Sequence, residues 1–305
     1  MASENHPLGI TSPLFLYGAY QQEPELRAAS VRGQLRYWFR AIEGAKDANL
    51  ETLRERERNV FGSTERGSQV SIRLYEMNRL ETVETSMLPH RSNGKSLAKA
   101  FKQGQTFDLQ VVTRPGVKIP NAFQRALYTW FLLGGLGKRS RRMFGAFNVN
   151  NRDNVNNREI VDFSSADKLI ASMEYYLQSF IKNSPSQSVP PPPFPTLHPQ
   201  HSWVIVGKTT EYREWQPLMI DLFQKLLRTE KYRNAERNFG YAMQGRRASP
   251  LIAQMRKVGK HYIPILTVMR SEVQRSPIDW KVLNNFMRDA TELWDGETVW
   301  GGELK

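Results

Sequence analysis

The stretch Gly134-Gly135-Leu136-Gly137-Lys138-Arg139-Ser140-Arg141-Arg142-Met143-Phe144-Gly145 places four glycines and four cations within twelve residues. Glycine lets a backbone approach a phosphate chain closely, and successive N–H groups can form an anion-binding nest. Arginine adds a planar fork that grips phosphate through two hydrogen bonds. Phe144 offers a ring on which a base could stack. The run follows a helical segment and precedes a strand-like one, and it lacks the Gly-x4-Gly-Lys-Ser/Thr spacing. It is therefore neither a nucleoside-triphosphate loop nor a dinucleotide fingerprint, both of which follow a strand.

Immediately upstream, Asn121 to Leu133 is apolar on most faces, opened by Pro120 and stopped by Gly134 and Gly135, which predicts a helix. Downstream, Phe144 to Val149 reads as a short strand. Val70–Tyr75 and Thr106–Val112 alternate apolar and polar residues, as half-buried strands do. Val31 to Ile42 reads as a helix with Ser30 in its N-cap position. At about 100° per residue, Trp38, Ile42, Leu35 and Phe39 share one stripe, and Arg32, Arg36 and Arg40 share the next. Like charges at that spacing destabilise an isolated helix, so an anionic partner is expected to relieve them. The apolar run Pro13–Tyr20 reads as the first strand. Leu88–Gln105, with His90, Arg91, Lys95, Lys99 and Lys102, reads as a loop, and Arg54, Arg56 and Arg58 as a solvated face. Strand, helix, strand, strand, helix, strand is the split βαβ, ferredoxin-like order.

The Asn-rich segment 150–160 has no hydrophobic periodicity and marks a boundary between domains 1–150 and 151–305. The second half repeats the grammar. Helices are expected over Ser164–Ile181, Trp215–Leu227 and Trp280–Leu293, and strands over Trp203–Val206, Ile252–Met255 and Tyr262–Arg270. Pro190–Pro193 reads as a stiff spacer. The expected class is α+β, with two ferredoxin-like (RRM-like, βαββαβ) domains, the second a variant with helical insertions and a proline-rich loop.

The 305 residues include 43 Lys and Arg against 30 Asp and Glu, a formal charge of +13. Residues 1–150 hold 22 cations and 13 acids, so the excess is concentrated there. Such a balance suits a polyanionic partner. With no cysteine, a disulfide scaffold, a zinc ribbon and thiol catalysis are excluded. No window approaches the ~18 to 20 apolar residues of a membrane span, and Met1–Pro7 carries no secretory pattern. A soluble, cytoplasmic protein is expected.

Acid–base chemistry would call on His6, His90, His198, His201 or His261. Pro199 between His198 and His201 argues against a shared helical face, and Asp153 and Asp162 lack partners at metal-ligand spacing. No catalytic residue, metal or cofactor is assigned. The tryptophans are expected in the core, and Tyr37, outside the apolar stripe, is the better stacking candidate.

Gly-Gly-x-Gly-x-Arg-x-Arg-Arg-x-x-Gly closing such a domain resembles the RAMP superfamily of CRISPR-associated RNA-binding proteins. More narrowly, it resembles the family of first subunits of type III-B (Cmr) effectors. Ser12-Pro13-Leu14-Phe15 with Gly18-Ala19, Glu25 through Arg40, Phe61-Gly62-Ser63 and Arg246-Arg247-Ala248-Ser249-Pro250-Leu251 are similar to further motifs of that family. Met143 and Tyr17 stand where glycine is expected, which should stiffen the loop or narrow its approach to RNA backbone.

The resemblance implies a non-catalytic, antiviral ribonucleoprotein subunit that holds the 3′ region of the CRISPR RNA and helps position target RNA. Its partners would be other Cmr subunits of the backbone and caps, and no membrane. The RNA-binding residues would be Arg27, Arg32, Arg36, Arg40, Gly134, Gly135, Gly137, Lys138, Arg139, Ser140, Arg141, Arg142, Gly145, Arg246, Arg247 and Ser249. The alternative is a RAMP-type, metal-independent endoribonuclease that processes precursor CRISPR RNA with His90 or His261.

Overall fold

The computed structural model describes residues 2–46, 49–88, 97–149, 161–181, 190–241, 247–272 and 277–304. β1 (Ser3–Ile10) buries His6, Leu8 and Ile10 and exposes Ser3 and Asn5, the two-residue alternation of a half-covered strand. It pairs antiparallel with β5 (Thr106–Thr113) on one side and β6 (Phe147–Val149) on the other. With β2 (Val70–Tyr75) against β5, the order is β2-β5-β1-β6. α1 (Ala28–Lys46) and α3 (Asn121–Leu133) pack together over one face through Leu35, Trp38, Phe39, Ala126, Leu127 and Trp130.

Pro13–Tyr20 is not the first strand. It runs as irregular chain held by single bridges, Leu14 to Phe101 and Tyr17 to Pro24. Its apolarity has another cause: Pro13 through Gly18 are buried beneath the glycine-rich loop. A short apolar run signals burial and leaves the type of backbone open. α1 starts at Ala28, so Ser30 lies inside its first turn and is not its cap. Arg54, Arg56 and Arg58 ride on α2 (Leu50–Phe61), whose N-terminus is capped by Asn49 Oδ1 accepting from Thr52 N at 3.0 Å. Part of Leu88–Gln105 is strand: β4 (Leu97–Phe101) pairs with β3 (Thr82–Ser86) in a separate ribbon. His90, Arg91 and Lys95 lie outside the described residues, as does the segment 150–160.

The second sheet is wired like the first. β7 (Ser202–Val206), β8 (Leu251–Val258), β9 (His261–Met269) and β10 (Glu297–Gly301) lie in the order β10-β7-β9-β8, all antiparallel. β10 has no counterpart among the expected strands. α5 (Trp215–Asp221) runs on into a π-helical turn, Leu222–Leu227, then α6 (Glu230–Arg233) and a 3₁₀ turn, Glu236–Phe239. α7 (Trp280–Leu293) joins β9 to β10.

Both faces of this sheet are covered. Trp203, Ile205, Leu251, Ala253, Met255, Leu266 and Val268 share a core with the second half's own helices. The alternate residues Val204, Val206, Ile252, Ile263, Ile265 and Met269 join the core of the first half. α4 (Ala166–Ile181) fills that seam with Leu169, Met173 and Leu177. Among the described residues no helix is long and apolar enough to cross a membrane.

Candidate nucleic-acid interface

The glycine-rich run sits where the two halves meet. Gly137, Arg139, Met143 and Gly145 all have left-handed backbone, with φ of 83°, 59°, 67° and 58°. These reversals fold the run into a tight knot: Leu136 N donates to Gly145 O at 2.9 Å, and Arg142 N to Arg139 O at 2.8 Å. Lys138 N reaches Phe15 O at 2.7 Å, Gly145 N reaches Pro13 O at 3.0 Å, and Ser12 Oγ donates to Met143 O at 2.7 Å. On the far side, Met143 N donates to Ala253 O at 2.9 Å and Ala253 N to Arg141 O at 3.3 Å, a short parallel bridge onto β8, an edge strand of the second sheet.

The glycines therefore allow close approach to the protein's own chain. A Cβ on Gly145 would lie 1.8 Å from Leu136 O, one on Gly137 2.4 Å from Phe15 O, and those on Gly134 and Gly135 would strike Trp130 and Gln254. The left-handed backbone at Met143 accounts for the glycine expected there, since L-residues adopt that region at a cost. Its side chain compensates by full burial in the second core, beside Phe144. Phe144 is not a stacking surface: it is buried, edge-on to Phe15 at 5.0 Å. Tyr37 is likewise engaged, with the Arg141 guanidinium 5.0 Å from its ring centroid.

The four cations divide into two kinds. Arg141 donates to Ser249 O. Arg142 reaches Phe239 O at 2.8 Å and Ser249 Oγ at 3.2 Å, and burial together with Arg139 and Arg141 pushes its pKa down to about 9. These two bind the halves together and bring Ser249 to the loop. Lys138 is exposed, its ammonium 4.5 Å from the Tyr17 ring centroid. Arg139 lies half-exposed, 6.0 Å from the Phe223 ring centroid. Ser140 lends its carbonyl to Gln254. Arg247 donates to Arg237 O, and Arg246 lies outside the described residues.

Beside Arg139 opens a cleft of about 630 Å³, floored by Phe223, Leu227 and Phe239 and rimmed by Arg142, Arg237, Tyr241 and the pair Arg228–Glu236, 3.6 Å apart. Sequence reasoning missed Arg228, Arg237 and the aromatic floor, because they come from short helical pieces with no periodicity to align them. The π-helical turn at 222–227 is the local signature of this wall, and such turns are frequent at functional sites.

The arginine stripe of α1 finds its anion inside the molecule. Arg36 pairs with the buried Glu57 of α2, Arg40 Nε lies 3.8 Å from the same carboxylate, and Arg32 donates to Phe61 O at the end of α2. Arg36 and Arg40 nevertheless keep 42% and 49% of their side chains exposed. Arg27 lies 3.8 Å from Glu25. Of the histidines, His198 and His201 do meet, their rings 5.2 Å apart, because a turn closed by His201 N to His198 O carries them past Pro199. His261 opens β9, opposite Val258. Among the described residues no cluster of three or more His, Cys, Asp or Glu is arranged to hold a metal.

Residues 8–148 match the RAMP superfamily model. The chain is 25% identical to the Cmr subunit Cmr1-1 of the Pyrococcus furiosus CRISPR system, across 96% of each chain. A crystal structure of Pyrococcus furiosus Cmr1 in its apo form superposes with a TM-score of 0.68 and 22% identity, over 99% of this chain and 100% of that one. A chain of the type III-B Cmr-beta complex bound to cognate target RNA gives a TM-score of 0.68 at 12% identity, over 94% and 98%. Across nearly its whole length this chain is therefore similar to the Cmr1 subunits of CRISPR Cmr systems, and its match to the RAMP superfamily spans residues 8–148.

Proposed function

We propose that this chain is a non-catalytic RNA-holding subunit of a type III-B CRISPR effector, built from two ferredoxin-like units, 1–150 and 151–305. The equal strand orders of the two sheets support the two-unit reading. The likeness to Cmr1 supports assembly with other Cmr subunits in the cytoplasm and contact with guide and target RNA. The 3′ region of the guide is the part the resemblance implies.

One observation carries the RNA reading: the knot at the junction holds the exposed Lys138 and the half-exposed Arg139 beside a cleft with a mostly guanidinium rim and an aromatic floor. The second sheet has both faces packed, while the open side of the first carries Asn5, Pro7, Gly9, Arg73 and the exposed Tyr75. The strand thus follows the loop, with Arg36 and Arg40 extending the track in the first unit and Arg247 in the second. Contacts of this kind go to phosphate and sugar, which suits a guide whose sequence changes from one spacer to the next.

Equilibrium binding of unrelated single-stranded RNAs over a salt series tests the reading. Lys138→Ala with Arg139→Ala is expected to weaken all sequences alike and to make the salt dependence shallower by about 0.7 per lost phosphate contact. Unchanged affinity in this variant overturns it.

A further inference from the structure

Tyr20 is 82% exposed, although the loop that carries it is well tied down. The loop is closed by the Tyr17–Pro24 bridge and by Glu25 N donating to Leu16 O at 2.8 Å. Within it, Gln21 Nε2 donates to Gly18 O at 2.7 Å. Gln21 Oε1 in turn accepts from Lys138 Nζ at 2.8 Å, so Tyr20 stands one residue from a direct tether to the glycine-rich knot. An ordered turn that holds a whole phenol ring in water gains nothing from it within one chain, since apolar area is stabilising only when buried.

The acidic residues of the loop are matched by cations. Glu23 pairs with Lys99, and Glu25 lies 3.8 Å from Arg27, so the ledge is close to neutral. A neutral aromatic ledge suits the face of a base, and the ammonium of Lys138, held at the neighbouring residue Gln21, suits its phosphate. We propose that Tyr20 is a base-stacking platform of the RNA path: a nucleotide held by its phosphate at Lys138 lays its base on the Tyr20 ring. This rests on the RNA-holding reading above. Every base has a π face, so such a contact is sequence-tolerant, as the phosphate contacts are.

The test uses the full chain and a single-stranded oligouridine carrying 5-iodouracil, irradiated so that cross-linked residues can be mapped by mass spectrometry. Salt-series binding of the wild type, Tyr20→Phe and Tyr20→Ala is measured beside it. A cross-link at Tyr20 is expected, with Tyr20→Phe close to wild type and Tyr20→Ala weaker by about 5- to 100-fold. Neither variant should change the salt slope, because no phosphate contact is lost, whereas Lys138→Ala should lower it. If the wild type binds, Tyr20→Ala binds equally well and no cross-link maps to Tyr20, the stacking proposal falls and the RNA reading stands. That result would leave the ring as a contact for another protein. A wild type that binds no RNA brings down both.

Discussion

Arg256 of β8 donates from Nε and Nη2 to the carbonyl oxygen of Phe131 near the end of α3, at 3.1 and 2.8 Å. Nη2 also reaches Gly134 O at 2.8 Å, and the Phe147 ring lies 5.4 Å from the guanidinium carbon. Burial pushes Arg256 down to about 9, and the partial negative charge at the helix C-terminus is its counterweight. Arg256→Met should lower stability by about 2–4 kcal/mol in urea unfolding, because three buried carbonyls, of Phe131, Gly134 and Met255, lose this donor. Arg256→Lys should rescue little, since an ammonium cannot reproduce the fork.

Gly145→Ala should destabilise by more than about 1 kcal/mol, combining a left-handed backbone with a Cβ placed 1.8 Å from Leu136 O. Thermal unfolding reads this directly. Gly116→Ala is the matched control: it has φ 75° but open space around the added carbon, and should lose less.

Glu57 neutralises Arg36 and Arg40 from a buried position. Glu57→Gln should therefore lower stability by about 1–3 kcal/mol. If the stripe faces RNA, the same change should tighten RNA binding and steepen its salt dependence, because two guanidiniums are released toward phosphate. Binding that weakens at every salt concentration would remove the stripe from the RNA path.

His198 is buried against His201, and burial followed by the neighbouring imidazole holds its pKa below the ordinary value of 6.5. The folded state therefore favours neutral His198. Its contribution to stability is complete above the unfolded value and is lost as pH falls from about 6.5 toward the depressed folded value. Melting temperature should fall across that window, and His198→Gln should flatten the fall.

Where periodicity was strong, the sequence was an accurate guide. The spans 70–75, 121–133 and 280–293 coincide with β2, α3 and α7, because β2 and α7 each carry one buried stripe at a single period and α3, apolar on most faces, is bounded by Pro120 and Gly134. Ser3–Ile10 escaped notice because Asn5, His6 and Pro7 dilute its alternation, although His6 faces the core. The glycine-rich run was legible as a special site, but composition could not say what the glycines approach. Four left-handed residues turn it onto Phe15 and Ala253, and of its four cations Lys138 is the exposed one. The α1 stripe misled in the same way, since its counter-charge comes from a helix whose Glu57 carries no local mark of burial.

The second sheet buries Val204, Val206, Ile265 and Met269 against α4 and the first core. Cutting the chain between its halves would bare that greasy wall on one fragment and strip the other of its roof. Each piece made alone should clump, so whatever strand lies along the junction meets a single unhinged block.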